Sequence, residues 1–312
     1  MGRILITTDY LHPGDEIDQL LKQHGHETAF APFAGKREDA QQMNLFSGFD
    51  GAIIASEPVT AGMLAAAPGL KVLARSGVGY DSVDLAAASS QAVRVCNAPG
   101  SNHHSVAEMA IGLLIMSARR LAEVTSAVQQ GHWPREAGHE LRGATLGIIG
   151  YGPSGRATAK LGLALGMKVL VSTGHPDGAD REINFTDADT VFRSADYLSL
   201  HSRAGGAHPL IDGPKLELMK NTAIIINTAR GSLIEETALA AALRAGSIAG
   251  AALDVLDHEP LAEDSPLRGL KNLIVTSHLA GQTVEARIRA GLSAAQAVID
   301  VLANREPAHP VN

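Results

Sequence analysis

Short apolar runs alternate with Ala-rich stretches of helical periodicity along almost the whole chain. This alternation is what a parallel sheet with crossover helices produces, so the predicted fold class is α/β. In the first hundred residues RILIT, ETAFAPF, GAIIAS, KVLARS and VRVCN predict strands, and helices are predicted around Glu16 to His24, Thr60 to Ala67 and Ser82 to Ser89. Turn formers then cluster from Asn97 to Asn102, where Pro99 pushes Ala98 out of helical conformation and marks a domain boundary. Beyond it Ser105-x-x-Glu108 has the spacing of a capping box and opens a predicted helical run through Ala127. The middle of that run, Met109 to Met116, is apolar on every face and predicts burial between domains or subunits. LGIIG, KVLVS, DYLSL, AIIINT, GAALDV and LIVTS predict a second set of strands. A last helix, about Thr283 to Asn304, fits either unit by periodicity alone.

A length of 312 residues suits two domains. Apolar residues make up 45% and charged ones 19%, which excludes a disordered chain. The net charge of −7 opposes attraction to phosphate backbones or anionic membranes, so neither nucleic acid nor membrane is an expected partner. The most apolar stretch covers eight residues, far short of the ~20 that span a bilayer. The N-terminal MGRILITTDY shows no signal-like run, and Ile6 stands where a myristoylation signal needs Ser or Thr. The single cysteine, Cys96, forms no internal disulfide. Together these features lead us to expect a cytoplasmic protein.

Gly150-Tyr151-Gly152-Pro153-Ser154-Gly155 fits G-x-G-x-x-G, in which glycines let the backbone approach a pyrophosphate resting on the next helix N-terminus. Alone the string is weak, since 32 glycines in 312 residues match it by chance roughly 0.3 times per chain. Its placement between LGII and the helical run RATAKLGLALGM, ahead of KVLVS, is that of a βαβ unit and points to dinucleotide binding. About 20 residues on, a carboxylate is expected for the ribose hydroxyls, yet the strand ends Ser172-Thr173-Gly174-His175. An uncharged Thr173 removes repulsion towards a 2′-phosphate, and Ser172 and His175 offer donors to it. The reading tilts to NADP over NAD, with a fold-back of Asp177 or Asp180 onto the ribose as the alternative.

Three later strands end in polar residues, with AIIINTA running into Arg230, GAALDV holding Asp254 and LIVTS running into His278, while Glu259 lies on a loop before Pro260. Ligands of open α/β sheets bind at the carboxyl ends of strands. His278 is the candidate proton shuttle, Glu259 the carboxylate that orients it, and Arg230 the group that grips a 2-keto carboxylate by paired hydrogen bonds. Ser76-Gly77-Val78-Gly79, after KVLA, offers backbone N–H groups to a carboxylate, with Arg75 beside it. Each of these residues singly also has a purely structural reading. His103-His104 lacks a third ligand, and no metal site is expected.

Taken together, RSGVGYDSVDLAAA, NAPGSNHHSVAE, LRGATLGIIGYGPSG, LMKNTAIIINTARGSLIEETALAAAL, GAALDVLDHEP and SHLAGQT resemble the D-isomer-specific 2-hydroxyacid dehydrogenase family over nearly the whole chain. The resemblance implies a Rossmann doubly wound parallel sheet, residues 99–283, inserted into a flavodoxin-like substrate-binding domain, residues 1–98 and 284–312. It implies that Arg230 binds substrate, Glu259 assists, His278 is the acid/base and Asp254 holds the nicotinamide carboxamide, and it adds His201, Thr228, Ala229 and Gly281 to the cofactor contacts. The sequence Ser172 to Pro176 is similar to NADP-preferring glyoxylate/hydroxypyruvate reductases, although His175 stands where those tend to have Arg. A homodimer built on the Ser105 to Ala127 run and a small 2-keto or 2-hydroxy acid substrate are further implications. The alternatives are a dinucleotide-sensing, corepressor-like binding protein on the same fold, or a dehydrogenase of another small anion such as phosphite.

Overall fold

The computed structural model describes residues 1–32, 42–176, 181–205 and 208–312. The chain divides into two compact units, one formed by Met1–Asn102 with Gln282–Asn312 and the other by His103–Gly281. The divisions fall at 102/103 and 281/282 instead of 98/99 and 283/284, and local bonds account for the first. Ser101 Oγ donates back to Ala98 O, and Arg289 Nε donates to Ser101 O, which ties the turn to the first unit.

In the first unit β1 (Arg3–Ile6), β2 (Glu27–Phe30), β3 (Gly51–Ile54), β4 (Val72–Arg75) and β5 (Arg94–Cys96) form one sheet in the order β2-β1-β3-β4-β5. Its neighbouring strands all pair in parallel. Side chains alternate across it as a period of two requires. Ile4, Ile6, Ile53 and Val72 face Ile17, Leu21 and Val298, whereas Leu5, Ala52, Ile54 and Leu73 face Phe46, Met63 and Leu64. The last helix, Val284–Leu302, is N-capped by Thr283 and belongs to this unit. A Cβ at Gly291 would lie 3.0 Å from Ile17 Cγ1, so a glycine lets this helix press close to Glu16–Gln23.

The second unit holds β6 (Thr145–Ile149), β7 (Lys168–Ser172), β8 (Asn184–Phe185), β9 (Tyr197–Leu200), β10 (Ile224–Asn227), β11 (Gly250–Leu253) and β12 (Leu273–Val275) in the order β12-β11-β10-β9-β6-β7-β8. All pairs are again parallel. From β6 outward the order runs 3-2-1-4-5-6 with one strand added, the doubly wound arrangement. Strand β8 was not predicted, for its two residues carry no period.

The predicted continuous helix from Ser105 to Ala127 is corrected. It begins at His103, so Ser105 is not its cap, and it ends at Ala118, after which a separate helix runs Leu121–Gln129. The break lies at Arg120, whose φ of 52° is left-handed and whose guanidinium binds Glu123 and Glu136. Neither Gly nor Pro marks that break in the sequence. Within the single chain, burial of Met109 to Met116 is confined to part of its surface. One face packs on the helix Pro153–Ala164, burying Ala110, Ile111, Leu113 and Leu114, while Ile115 is exposed.

Candidate active site

In the second unit the strand order reverses between β6 and β9, which is where a doubly wound sheet opens a crevice at its carboxyl edge. The glycine-rich loop is at that point. Gly150 has φ +95°, and a Cβ there would lie 2.6 Å from His201 C and Ser202 N, so only glycine permits this approach of β6 to β9. Gly155 packs so closely that its Cβ would lie 2.2 Å from Gly150 O. Gly152 is different. It N-caps the helix, Pro153 occupies the first turn, Ser154 is half-buried, and nothing lies within 4 Å of a Cβ at Gly152. Two glycines therefore shape the turn, and the third leaves its backbone open to a phosphate at the helix N-terminus.

Other groups on this edge fit a dinucleotide. Thr228 Oγ1 and Ser202 Oγ are buried without a hydrogen-bond partner among the described residues, an unfavourable state that a polar ligand relieves. His201 Nε2 lies 2.9 Å from Ser199 Oγ, and desolvation holds its imidazole down to about 4, so it is neutral near pH 7. At the end of β7, Thr173 Oγ1 accepts from His175 N at 3.2 Å, and Ser172 is half-buried while His175 is exposed. Asp177 and Asp180, the alternative ribose ligands, lie outside the described residues.

Strands β10, β11 and β12 are neighbours in register, with Asn227 opposite Leu253 and Leu253 opposite Val275, so the residues that follow them emerge on one edge. After β10, the buried Asn227 accepts from Ala229 N at 3.0 Å and donates to Arg230 O at 2.8 Å. This bracket fixes Thr228 to Arg230. Arg230 Nη1 donates to Ala229 O, and a short 3-10 turn, Gly231–Leu233, follows. A Cβ at Gly231 would fall 1.8 Å from Leu256 C, so glycine brings the Arg230 loop against the loop that carries Glu259.

Glu259 Oε1 accepts from Leu256 N at 3.1 Å, and its Oε2 lies 2.9 Å from His278 Nδ1. The contact sets the Nδ1 proton on the carboxylate side and leaves Nε2 as the reactive nitrogen. His278 itself has φ 59°, a left-handed conformation that costs energy for a side chain of this size. Asp254 holds it there. The Asp254 carbonyl accepts from His278 N at 2.9 Å, and the side chain accepts from Thr276 Oγ1, Leu279 N and Ala280 N at 2.6 to 2.8 Å. Sequence reasoning gave Asp254 a cofactor contact and missed this scaffold role, as it missed Asn227 and Gly231. A polar residue at each strand end was the available signal, but only the fold reveals its partners. Gly281, the last residue of this unit, follows the same loop.

The remaining predicted residues lie in the first unit, at the carboxyl end of β4. The expectation that Ser76 to Gly79 offers free N–H groups is corrected in part. Ser76 N donates to Ile54 O and Gly77 N to Arg75 O, leaving Val78 and Gly79. The Ser76 hydroxyl pairs with Tyr10 Oη at 2.8 Å, and burial keeps the Tyr10 phenol above its usual range and protonated. Arg75 Nη1 approaches Ser76 O at 3.5 Å. Among the described residues no group of three or more His, Cys, Asp or Glu is gathered to hold a metal, and no helix is long and apolar enough to cross a membrane.

Comparison with known proteins agrees with this geometry. Residues 111–280 match the family described as D-isomer specific 2-hydroxyacid dehydrogenase, NAD binding domain. The chain belongs to this family. The dehydrogenase is 36% identical over 249 residues to a hydroxypyruvate reductase of Thermotoga maritima, covering 78% of this chain and 81% of that one. It is 38% identical to a D-3-phosphoglycerate dehydrogenase of Archaeoglobus fulgidus over 78% of this chain, and spans 47% of that longer protein. The crystal structure of the TT0316 protein from Thermus thermophilus superposes with a TM-score of 0.92 at 33% identity, covering 99% of this chain and all of that one. The dehydrogenase is therefore an NAD(P)-binding oxidoreductase with the two-domain α/β architecture of its family.

Proposed function

We propose that this dehydrogenase reduces a small 2-keto acid of the glyoxylate or hydroxypyruvate type to the D-2-hydroxy acid, with NADPH favoured over NADH. The observation that carries the reading is the Glu259–His278 pair at 2.9 Å on the strand edge that also bears Arg230. When bound, the reduced nicotinamide supplies the hydride that adds to the carbonyl carbon. The protein supplies the rest. Arg230 grips the substrate carboxylate through paired hydrogen bonds and stabilises charge developing on the ketone oxygen. His278 Nε2 delivers its proton to that oxygen, and Glu259 holds the Nδ1 proton so that the ring keeps its tautomer and orientation. The open Gly152 backbone and the helix starting at Pro153 take the pyrophosphate, Thr228 and Ala229 line the same edge, and Ser172, Thr173 and His175 receive the adenosine ribose or its 2′-phosphate.

In the first unit, Val78 N–H, Gly79 N–H and Arg75 are proposed to hold an anionic part of the ligand, with Ser76 and Gly77 shaping the turn. The working assembly is proposed to be a homodimer in the cytoplasm. The helix Leu121–Gln129 buries none of its residues, and Ile115, Leu121, Val128, Trp133 and Leu165 are exposed on the second unit. Cys96, the one cysteine, is buried, and desolvation pushes its thiol up to about 11, so it stays a protonated thiol near pH 7.

Steady-state turnover of a panel of 2-keto acids with NADPH and with NADH tests the reading. We expect turnover of glyoxylate or hydroxypyruvate, a higher kcat/KM with NADPH, and loss of at least about 10³-fold in His278→Asn, a residue tolerant of the left-handed backbone. Cofactor binding without turnover anywhere on the panel would favour the dinucleotide-sensing alternative.

A further inference from the structure

In a doubly wound sheet the adenosine ribose rests at the carboxyl end of the second strand, here β7. A 2′-phosphate there meets the hydroxyls of Ser172 and Thr173 and the exposed ring of His175. A phosphate carries between one and two negative charges near pH 7, and a guanidinium, with its permanent charge and planar fork of donors, holds it best. The packing of the glycine turn brings such a group to this edge.

Tyr151, the residue between the first two glycines, is buried. It follows β6 by two residues, yet its ring meets Phe185 of β8 edge-on, with 5.2 Å between centroids and 87° between planes. Strand β7 lies between these two strands, with Ser172 opposite Ile149 and Val171 opposite Phe185. The Tyr151 ring therefore reaches across the carboxyl end of β7, on the face where Val171 and Phe185 pack with Ala159 of the helix Pro153–Ala164. Arg156, the fourth residue of that helix, sets its guanidinium over the same ring, with Cζ 4.6 Å from the centroid. Such a stack orients a long side chain that otherwise samples many rotamers. It uses the face of the guanidinium, whereas hydrogen bonds to a phosphate run in its plane.

We propose that Arg156 reads the 2′-phosphate of NADPH, with Ser172 and Thr173 as its neutral partners, and so sets the choice between the two nicotinamide cofactors. The proposal rests on the reading that NADPH is favoured. All the groups involved belong to the second unit. The 2′-hydroxyl of NADH offers the guanidinium no charge to pair with, so the contribution of Arg156 is confined to the phosphorylated cofactor. Tyr151 is a positioning residue that acts through Arg156.

Equilibrium binding to the full chain tests this without turnover. Nicotinamide fluorescence gives Kd for NADPH and NADH, and calorimetry gives Kd for 2′,5′-ADP and 5′-AMP, which differ only by the 2′-phosphate. The wild type should bind NADPH at least about 10-fold more tightly than NADH. Arg156→Gln should weaken NADPH and 2′,5′-ADP about 10- to 100-fold while NADH and 5′-AMP stay within about twofold of wild type. Arg156→Lys keeps the charge without the planar fork and should weaken NADPH about three- to tenfold, which decides the matter where the glutamine variant fails to fold. Equal losses for both members of each pair make Arg156 a support of the glycine turn and overturn the proposal. An unchanged NADPH affinity in either folded variant overturns it too, while leaving the cofactor preference in place. A wild type that binds NADH as tightly as NADPH overturns the preference itself, and the role of Arg156 with it.

Discussion

At Asp254 a single buried side chain accepts from Thr276, Leu279 and Ala280 and thereby holds the loop in which His278 adopts a left-handed backbone. Replacing it with Asn turns one acceptor oxygen into a donor facing an N–H, a loss of about 1–3 kcal/mol. Asp254→Asn should lower Tm and reduce kcat about tenfold or more while leaving cofactor affinity nearly unaltered. A large rise in cofactor Kd with a normal melting curve would instead support the contact to the nicotinamide carboxamide. His201 makes a second prediction, for pH. Its imidazole is depressed to about 4 from the ordinary 6.5, so between these values the unfolded chain binds a proton that the folded one refuses. Stability from this group is complete above pH 6.5 and is lost as pH falls towards 4, by at most about 3 kcal/mol. His201→Gln should flatten this part of the curve, as read by urea midpoints at pH 7 and pH 5. Equal losses in both proteins would remove His201 as the cause.

Among elements, the turn from β10 into the 3-10 segment depends on a close approach that no other residue permits. Gly231→Ala places a methyl 1.8 Å from Leu256 C, and we expect a loss of about 3 kcal/mol or more together with misplacement of Arg230 and the Glu259 loop. A denaturation midpoint equal to wild type would show that the loops are not tightly apposed. The same scale explains which predicted elements were legible. Buried strands such as LGII and the last helix announce themselves by period and length, and Thr283 by its cap. The helix broken at Arg120 does not, because no Gly or Pro interrupts its sequence and only the fold reveals the left-handed backbone at Arg120 where it stops. Ser105 has capping-box spacing and yet lies inside the helix, because the turn before it already starts at His103.

For the whole molecule, the proposed homodimer is the outcome to measure. Ile115, Leu121, Val128 and Trp133 are exposed in the single chain, Trp133 at 77%, and large apolar side chains left exposed over this one stretch of sequence suit a covering partner. Light scattering of the purified protein should give twice the chain mass. Val128→Glu combined with Trp133→Glu should shift it towards monomer, and a monomeric wild type would refute the assembly. The amino-acid sequence by itself determined the class of fold and the glycine turn, and it marked Arg230, Glu259 and His278 as candidates, since these depend on local period, backbone freedom and residue chemistry. Tertiary structure decided that Glu259 meets His278 at 2.9 Å and that Asp254 and Asn227 act as scaffolds. The physical reason is that hydrogen-bond satisfaction and close approach depend on which segments become neighbours. Residues 19 positions apart in the chain, His278 and Glu259, carry no mark of their pairing until the sheet is assembled.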